Sequence, residues 1–144
     1  MTDAPCIFPT LRFRESARML DWLKVVLGFA EHAIFRDGDA IVHAELRLGC
    51  SIIMIGQSKD DDYGQLVGDP ESRRTDAIYI AVPDADAACA RAEKAGAEIV
   101  QPLRDTGHGR EFTCRDPEGN LWAVGTYWPV VHPEVERTYE RAKA

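Results

Sequence analysis

Apolar positions recur at helical spacing in two segments of the chain, and each segment ends with a glycine. The first segment covers residues 16–28 and the second covers residues 84–96. Apolar residues of the first segment recur at intervals of three and four, at Met19, Trp22, Leu23 and Val26. The second segment is rich in alanine and begins with two aspartates, either of which is a suitable N-cap. Both segments are therefore predicted to be helices, ended by Gly28 and Gly96.

Strand-like segments surround the two helices in the same order, one before each helix and three after it. The predicted strands are residues 6–13, 29–36, 40–48 and 50–56, and then 76–83, 97–104, 110–115 and 120–128. An Arg-Asp pair follows each helix-ending glycine by eight positions, so the halves match at an offset of 68 residues, the distance from Gly28 to Gly96. This repeat predicts two βαβββ modules.

The repeat divides a single predicted domain, residues 1–144, into two modules joined by a polar connection. Module one covers about residues 5–57 and module two about residues 76–128. Residues 58–75 form a polar loop, either a solvated linker or a lid over a pocket. The tail, residues 129–144, resembles a short polar helix.

Period-two alternation assigns the side chains of each strand to two faces. In residues 41–48 the set predicted to lie under a helix is Val42, Ala44, Leu46 and Leu48, and the opposite set is Ile41, His43, Glu45 and Arg47. The faces opposite the helices predict a cleft for a small organic molecule. Its candidate ligand-binding residues are Phe8, Arg12, His43, Glu45, Tyr79, Arg110 and Tyr127. Taken singly, His43 is also explained as a surface strand residue, Tyr79 and Tyr127 as packing residues, and Glu45 with Arg47 or Arg12 as an ion pair.

Composition excludes several classes of partner. A net charge of −7 disfavours nucleic acid and anionic membranes. No apolar run is long enough to span a bilayer and the N-terminus does not resemble a signal peptide, so a cytoplasmic location is expected. The four cysteines are scattered and are predicted to be free, mostly buried thiols. Cys114 is interpreted as a core thiol, although Arg115 could activate it, and His108 as an exposed loop residue.

Two longer segments carry a family resemblance. "GREFTCRDPEGNLWAVGTY", at residues 109–127, and "HAELRLGCSIIMIG", at residues 43–56, resemble the vicinal oxygen chelate superfamily in the context of the repeat. That group includes glyoxalase I, fosfomycin-resistance transferases, extradiol dioxygenases and bleomycin-resistance proteins. The resemblance implies an α+β, glyoxalase-like fold in which two βαβββ modules form a curled mixed sheet with a central cleft, and a chain that pairs with itself as a homodimer.

The metal-dependent members hold a divalent ion with His, Gln or Glu side chains from the first and last strands of the modules. Carried over from that resemblance, the ligand positions are Phe8, Ile53, Ala77 and Ala123. None of these side chains has a donor atom, and a shift of one residue brings in only Asp76 as a suitable ligand. No metal and no other cofactor are expected. An unrelated site could still begin at His43 and Glu45, with Glu111 or His108 as a third donor.

The preferred hypothesis is a metal-free small-molecule-binding protein, similar to the bleomycin-resistance branch, that sequesters an aromatic or cationic compound in a cleft of a homodimer. The alternative is a metal-independent enzyme of the lyase or isomerase type, in which His43 and Glu45 or Glu111 act as acid and base. A dimer with only a structural or regulatory role is a third possibility. Metal-dependent lyase, transferase and dioxygenase activities are disfavoured.

Overall fold

The computed structural model describes residues 5–68 and 76–130. Module one contains β1 (Thr10–Phe13), α1 (Ser16–Leu27), β2 (Ala30–Asp37), β3 (Ala40–Leu48) and β4 (Ser51–Gln57). A short helix follows, α2 (Asp62–Val67). Module two contains β5 (Ile78–Ala81), α3 (Ala85–Lys94), β6 (Glu98–Asp105), β7 (Arg110–Arg115) and β8 (Leu121–Gly125). Most of the tail for which a helix was predicted, residues 131–144, lies outside the described residues.

Each module forms one four-stranded mixed sheet with the same topology. The strand orders are β1-β4-β3-β2 and β5-β8-β7-β6. The first strand runs parallel to the last in both sheets, and the other neighbours are antiparallel. The predicted α+β repeat of two βαβββ modules is thereby confirmed. The predicted polar loop differs in one respect, because it contains α2.

One apolar core connects the two modules. Trp122 of β8 is fully buried, and its ring centroid lies 6.5 Å from that of Trp22 on α1 and 6.1 Å from that of Phe29. The indole Nε1 of Trp122 donates to the buried carboxylate of Asp116 at 2.9 Å. That carboxylate also accepts from the backbone N–H groups of Glu118 and Asn120, so it fixes the turn that leads into β8.

The two long helices begin in different ways. Asp84 caps α3 from its own module, since its side chain accepts from the backbone N–H of Ala87 at 3.0 Å. The side chain of Glu15, the N-cap residue of α1, makes no capping hydrogen bond. Instead, the Glu118 carboxylate of module two accepts from the backbone N–H groups of Arg14 and Glu15 at 2.6 and 2.8 Å. Within module one, Gln57 Oε1 accepts from the backbone N–H of Ser16 at 3.2 Å. The start of α1 is therefore held both by its own module and by a turn in the other module.

The helices end as predicted, at glycines in the left-handed region. Gly28 has a φ of 82° and Gly96 a φ of 83°. Gly28 also lies close to α3, because a Cβ there would come 2.3 Å from a guanidinium nitrogen of Arg91. A side chain at residue 28 would therefore strain the backbone and push against Arg91.

The predicted faces of β3 are wrong at its beginning. Ile41 is fully buried, whereas Val42 is 41% exposed. Phe35 pairs with His43 but Arg36 pairs with Ile41, so Val42 is an extra residue in the ladder. This β-bulge reverses the alternation between Ile41 and His43, a local change that strict period-two reading does not contain.

Within the described ranges, no helix is long and apolar enough to cross a bilayer. The longest, α1, has 12 residues.

Candidate functional site

The helices cover one face of each sheet, and the opposite face is called here the open face. In module one, strand pairing places Thr10, Met54 and Glu45 in one row across that face. The next row runs through Arg12, Gly56 and His43. A pocket of about 290 Å³ lies over these rows. Its lining residues are Thr10, Leu11, Arg12, Val42, His43, Met54, Ile55, Gly56 and Tyr63.

Helix α2 meets this pocket through Arg12. The guanidinium donates to both carboxylate oxygens of Asp61, at 2.8 and 3.0 Å, and lies 4.6 Å from the ring centroid of Tyr63. Asp61 also accepts from the backbone N–H of Gly64. These contacts, with the Arg12 hydrogen bond as the largest cause, hold the pKa of the Asp61 carboxyl well below its ordinary value. Arg12 is thus already paired, and Tyr63 forms part of the pocket wall.

Glu45 lies between two imidazoles on the same open face. Its carboxylate oxygens are 3.6 Å from Nε2 of His43 and 3.8 Å from Nε2 of His32. The ring of Phe35 is 5.8 Å from that of His43, centroid to centroid. The two distances from Glu45 to the imidazole nitrogens are longer than a charged N–H···O hydrogen bond, which is about 2.7–2.9 Å long. The carboxylate is therefore flanked by the imidazoles but not tightly bound to them.

Module two has the same framework, but its open face is filled at the corresponding place. Tyr79 pairs with Ala123 in β8, as Thr10 pairs with Met54 in module one. The Tyr79 hydroxyl donates to the backbone carbonyl of Tyr127 at 2.7 Å, and a Cβ on Gly125 would meet that hydroxyl at 2.7 Å. Burial raises the pKa of Tyr79, and the nearby Glu111 carboxylate raises it further. The Tyr79 phenol therefore covers the backbone at Gly125, whereas no such ring covers the equivalent backbone at Gly56.

The predicted cleft residues are divided between the two sheets. Arg12, His43 and Glu45 share the open face of module one, with Arg12 and His43 lining the pocket. Tyr79 and Tyr127 meet in module two. Phe8 lies two residues before β1 and is not among the residues that line this pocket.

Arg110 does not share the face of Tyr79. Its Nε donates to Asp86 of α3 at 2.7 Å, and its pKa is raised mainly by that hydrogen bond. Alternation places Arg110 on the same side of β7 as the buried Phe112, which is the side that α3 covers. His108 is exposed, as predicted, and its ring centroid is 5.8 Å from that of Tyr127.

The positions that hold the metal in metal-dependent relatives do not fit an ion here. Ala123 lies on the open face beside Tyr79, and its equivalent in module one is Met54, which lies beside Thr10. The sequence-based choice of Ile53 was one residue off, since Ile53 is buried in the core. Neither an alanine methyl nor a single thioether is a ligand for a hard divalent cation. Within residues 5–68 and 76–130, no three His, Cys, Asp or Glu side chains form a group suited to a metal ion.

The cysteines divide evenly, which corrects the prediction that most are buried. Cys6 and Cys50 are exposed, whereas Cys89 and Cys114 are buried. Burial raises the pKa of the Cys114 thiol to about 12, so the neighbouring Arg115 does not activate it. The interpretation of Cys114 as a core thiol is confirmed.

Of the nine residues that line the pocket, sequence reasoning named Arg12 and His43 and missed the other seven, among them Thr10, Met54, Gly56 and Tyr63. A sequence signal for Gly56 was available, because Gly56 and Gly125 occupy equivalent places near the ends of β4 and β8, a second pair of matching glycines besides Gly28 and Gly96. A glycine in a strand often marks a place where another group approaches the backbone. Tyr63 gave no comparable signal, because it stands in a polar segment without periodicity.

Solved structures share this architecture. TioX from Micromonospora sp. ML1 is 28% identical to the chain, with a TM-score of 0.73 over 87% of this chain and 100% of TioX. TnmS3 from Streptomyces sp. CB03234, described as an antibiotic binding protein, is 16% identical and shows likeness of fold, with a TM-score of 0.66 over 87% of this chain and 97% of TnmS3.

A similar sequence is the protein Mb0911c of Mycobacterium bovis. It is 28% identical over 129 residues, which span 84% of this chain and 82% of Mb0911c. The model of the Glyoxalase/Bleomycin resistance protein/Dioxygenase superfamily matches residues 9–124, both modules and the connection between them. Repeat, sheet topology and family model agree, and the chain belongs to the Glyoxalase/Bleomycin resistance protein/Dioxygenase superfamily.

Proposed function

We propose that this protein binds a small organic molecule without a metal, and sequesters it on the open face of module one. The observation that carries the proposal is the pocket over Gly56, which has apolar walls and a few polar groups at its edge. That composition is typical of sites for organic ligands. Its volume, about 290 Å³, is just below the usual range for ligand sites and suits a compact ligand or one part of a larger molecule.

The absence of donors at the metal positions of the family supports a binding role over metal-dependent chemistry. Ala123 and Met54 replace the inward ligands of the last strands, so a divalent ion would lack the three or more protein donors that a tight catalytic site needs. The description of TnmS3 as an antibiotic binding protein indicates that this architecture can serve such a role. We extend that role to this chain as a proposal.

The protein acts, in this proposal, as a cytoplasmic homodimer in which a second copy covers the open faces. Aromatic side chains stay exposed there in the single chain, including Phe35 at 56%, Tyr79 at 37% and Tyr127 at 52%. Clusters of exposed aromatic surface commonly mark association sites. Light scattering after size exclusion tests this arrangement: a mass of twice 16.0 kDa at micromolar concentration is expected, and a monomer at all concentrations would contradict it.

Calorimetric titration with a panel of aromatic antibiotics, in the presence of EDTA, tests the binding function. Saturable binding that is unchanged by EDTA is expected for at least one class of compound. Binding that appears only after a divalent metal is added would contradict the metal-free assignment. No saturable heat with any compound would contradict the function itself.

A second candidate function rests on the separation of 3.6 Å between Nε2 of His43 and the Glu45 carboxylate. An imidazole oriented by a carboxylate can act as a general base beside a pocket. Glu111 does not belong to this pair, because it lies on β7 in the other sheet. Turnover of small carbonyl compounds that survives EDTA and is lost in His43→Ala would favour the enzyme. Unaltered turnover in that variant would exclude His43 as the base.

A further inference from the structure

Resting on the proposed function, we propose a specific class of ligand: the module-one pocket selects a flat, positively charged ring system. The ring lies on the bare backbone of Gly56, and the positive group lies beside Glu45.

The floor of the pocket is flat because one position in its central row has no side chain. Gly56 pairs with Arg12 on one side and with His43 on the other. Neighbouring strands lie about 4.8 Å apart, so the stems of Arg12 and His43 stand about 10 Å apart across that row. A Cβ on residue 56 would come within 3.2 Å of the carbonyl oxygen of Val42, where the bulge of β3 turns the backbone. The row therefore has only backbone between the stems of Arg12 and His43, which leaves a slot for a flat ring over Gly56.

The walls of the slot are suited to the face and edges of such a ring. Tyr63 lines the pocket at the Arg12 end, and Val42 and Met54 supply apolar surface. At the opposite end, His43 lines the pocket, and Phe35, which is outside the lining, lies 5.8 Å from the His43 ring, centroid to centroid. Aromatic and thioether groups interact favourably with flat aromatic ligands, and aromatic faces also attract cations.

The charges beside the slot favour a cation over an anion. Arg12 binds both carboxylate oxygens of Asp61, so its guanidinium is compensated before any ligand arrives. Glu45 is not among the residues that line the pocket but pairs with Met54, which lines it. The Glu45 side chain is 28% exposed, and the nearest imidazole nitrogens lie 3.6 and 3.8 Å from its carboxylate oxygens. Donors of a ligand can therefore approach it at the shorter distance of a charged hydrogen bond, about 2.7–2.9 Å. The net charge of −7 adds a weak long-range attraction.

Three fluorescent or absorbing probes test this selection by direct titration: proflavine, a flat cation; 9-anthracenecarboxylate, a flat anion; and benzyltriethylammonium, a cation that is not flat. The wild-type protein is expected to bind proflavine at least about tenfold more tightly than either other probe. Tighter or equal binding of the anion would overturn the charge assignment. Equal binding of benzyltriethylammonium would overturn the assignment of a flat slot.

Variants of Glu45 separate a local contact from the overall charge of the protein. Glu45→Gln is expected to weaken proflavine binding by at least about tenfold, in the range of a lost charged hydrogen bond. Glu45→Asp is expected to recover part of the affinity. Glu111→Gln removes the same unit of charge from the open face of module two and is expected to leave binding unchanged. Equal losses in Glu45→Gln and Glu111→Gln would reduce the effect to general attraction and overturn the proposal.

A variant of the floor completes the test. Gly56→Val is expected to abolish proflavine binding, and Gly56→Ala to weaken it, with folding of both checked by circular dichroism. A folded Gly56→Val protein that binds proflavine normally would overturn the proposed slot. If none of the probes binds while an antibiotic of the panel does, the ligand class is wrong and the binding function stands. If neither the probes nor the panel bind, the binding function fails as well.

Discussion

Module one and module two share one framework and differ in what lies on their open faces. Thr10, Met54 and Gly56 in module one correspond to Tyr79, Ala123 and Gly125 in module two, by the pairing of the first and last strands. The large side chain stands on the last strand in module one and on the first strand in module two. From the first strand of module two, β5, the Tyr79 phenol reaches Gly125 and covers the floor of that open face. The size of one residue on a short edge strand thus decides which half of the repeat has an open floor.

Exchanging those first-strand residues gives the largest expected effect. Thr10→Tyr is expected to place a phenol over Gly56 and to weaken ligand binding by at least about a hundredfold, because the ring takes the ligand's volume. The matched control, Tyr79→Thr, is expected to retain that binding. Calorimetry with a ligand identified from the panel measures both. Equal losses in the two variants would contradict a site confined to module one.

The starts of α1 and α3 give the next comparison, measured by urea unfolding. Asp84→Ala removes a cap within module two and is expected to cost about 1 kcal/mol of unfolding free energy. Glu118→Ala removes two charge-assisted hydrogen bonds to backbone N–H groups across the modules and is expected to cost about 2 kcal/mol. Glu118→Gln keeps one acceptor oxygen and serves as the control. Its unfolding free energy is expected to lie between those of the wild-type protein and Glu118→Ala. An unchanged stability in Glu118→Ala would show that α1 does not depend on that turn.

Thiol reactivity distinguishes the modules at neutral pH without any substitution. Both exposed cysteines, Cys6 and Cys50, belong to module one, and both buried cysteines, Cys89 and Cys114, belong to module two. Burial raises the pKa of both module-two thiols, so little reactive thiolate is present in the folded protein. A disulfide reagent is expected to modify two thiols in the native protein and four in denaturant. Rapid modification of Cys114 in native protein would contradict the packing of β7.

The pairing of Asp61 with Arg12 gives the smallest expected effect, a local change with pH. The folded pKa of Asp61 is lowered, so the pairing contributes its stability above the ordinary pKa of the carboxyl and loses it as pH falls through the folded value. Carboxyl titration by NMR is expected to show a midpoint for Asp61 below the ordinary aspartate value, about 3.9. In Arg12→Gln that midpoint is expected to rise. No rise would mean that other groups hold the carboxylate.

Much of the fold could be predicted, because periodic patterns determine the helices and strands. The segment 16–28 predicts α1, which ends at Leu27, and the segment 110–115 matches β7. The first strand begins later than predicted, at Thr10, directly after Pro9, a residue that has no N–H for a strand ladder. Helix α2 was missed because its segment has no apolar periodicity, and its contact with Arg12 is a tertiary one.

The candidate site could be predicted in part. Alternation placed Arg12, His43 and Glu45 on one face, since within a strand the period of two fixes the side. It assigned Tyr79 and Tyr127 to module two but could not show whether they share a cleft with the residues of module one, because sequence pattern does not give the relative position of two modules. Arg110 was assigned to the cleft on charge alone, and its partner Asp86 on α3 holds it on the opposite side.

The contact of Glu118 with the start of α1 has a consequence for how the repeat behaves as a folding unit. Although the modules match in topology, they share interactions: the start of α1 takes two of its acceptor contacts from Glu118 of module two, and Trp122 completes its packing against Trp22 of module one. A half separated from the other would expose both a helix end and an indole. Loss of one half therefore removes interactions that the other needs, which makes unfolding a single cooperative transition rather than two independent ones.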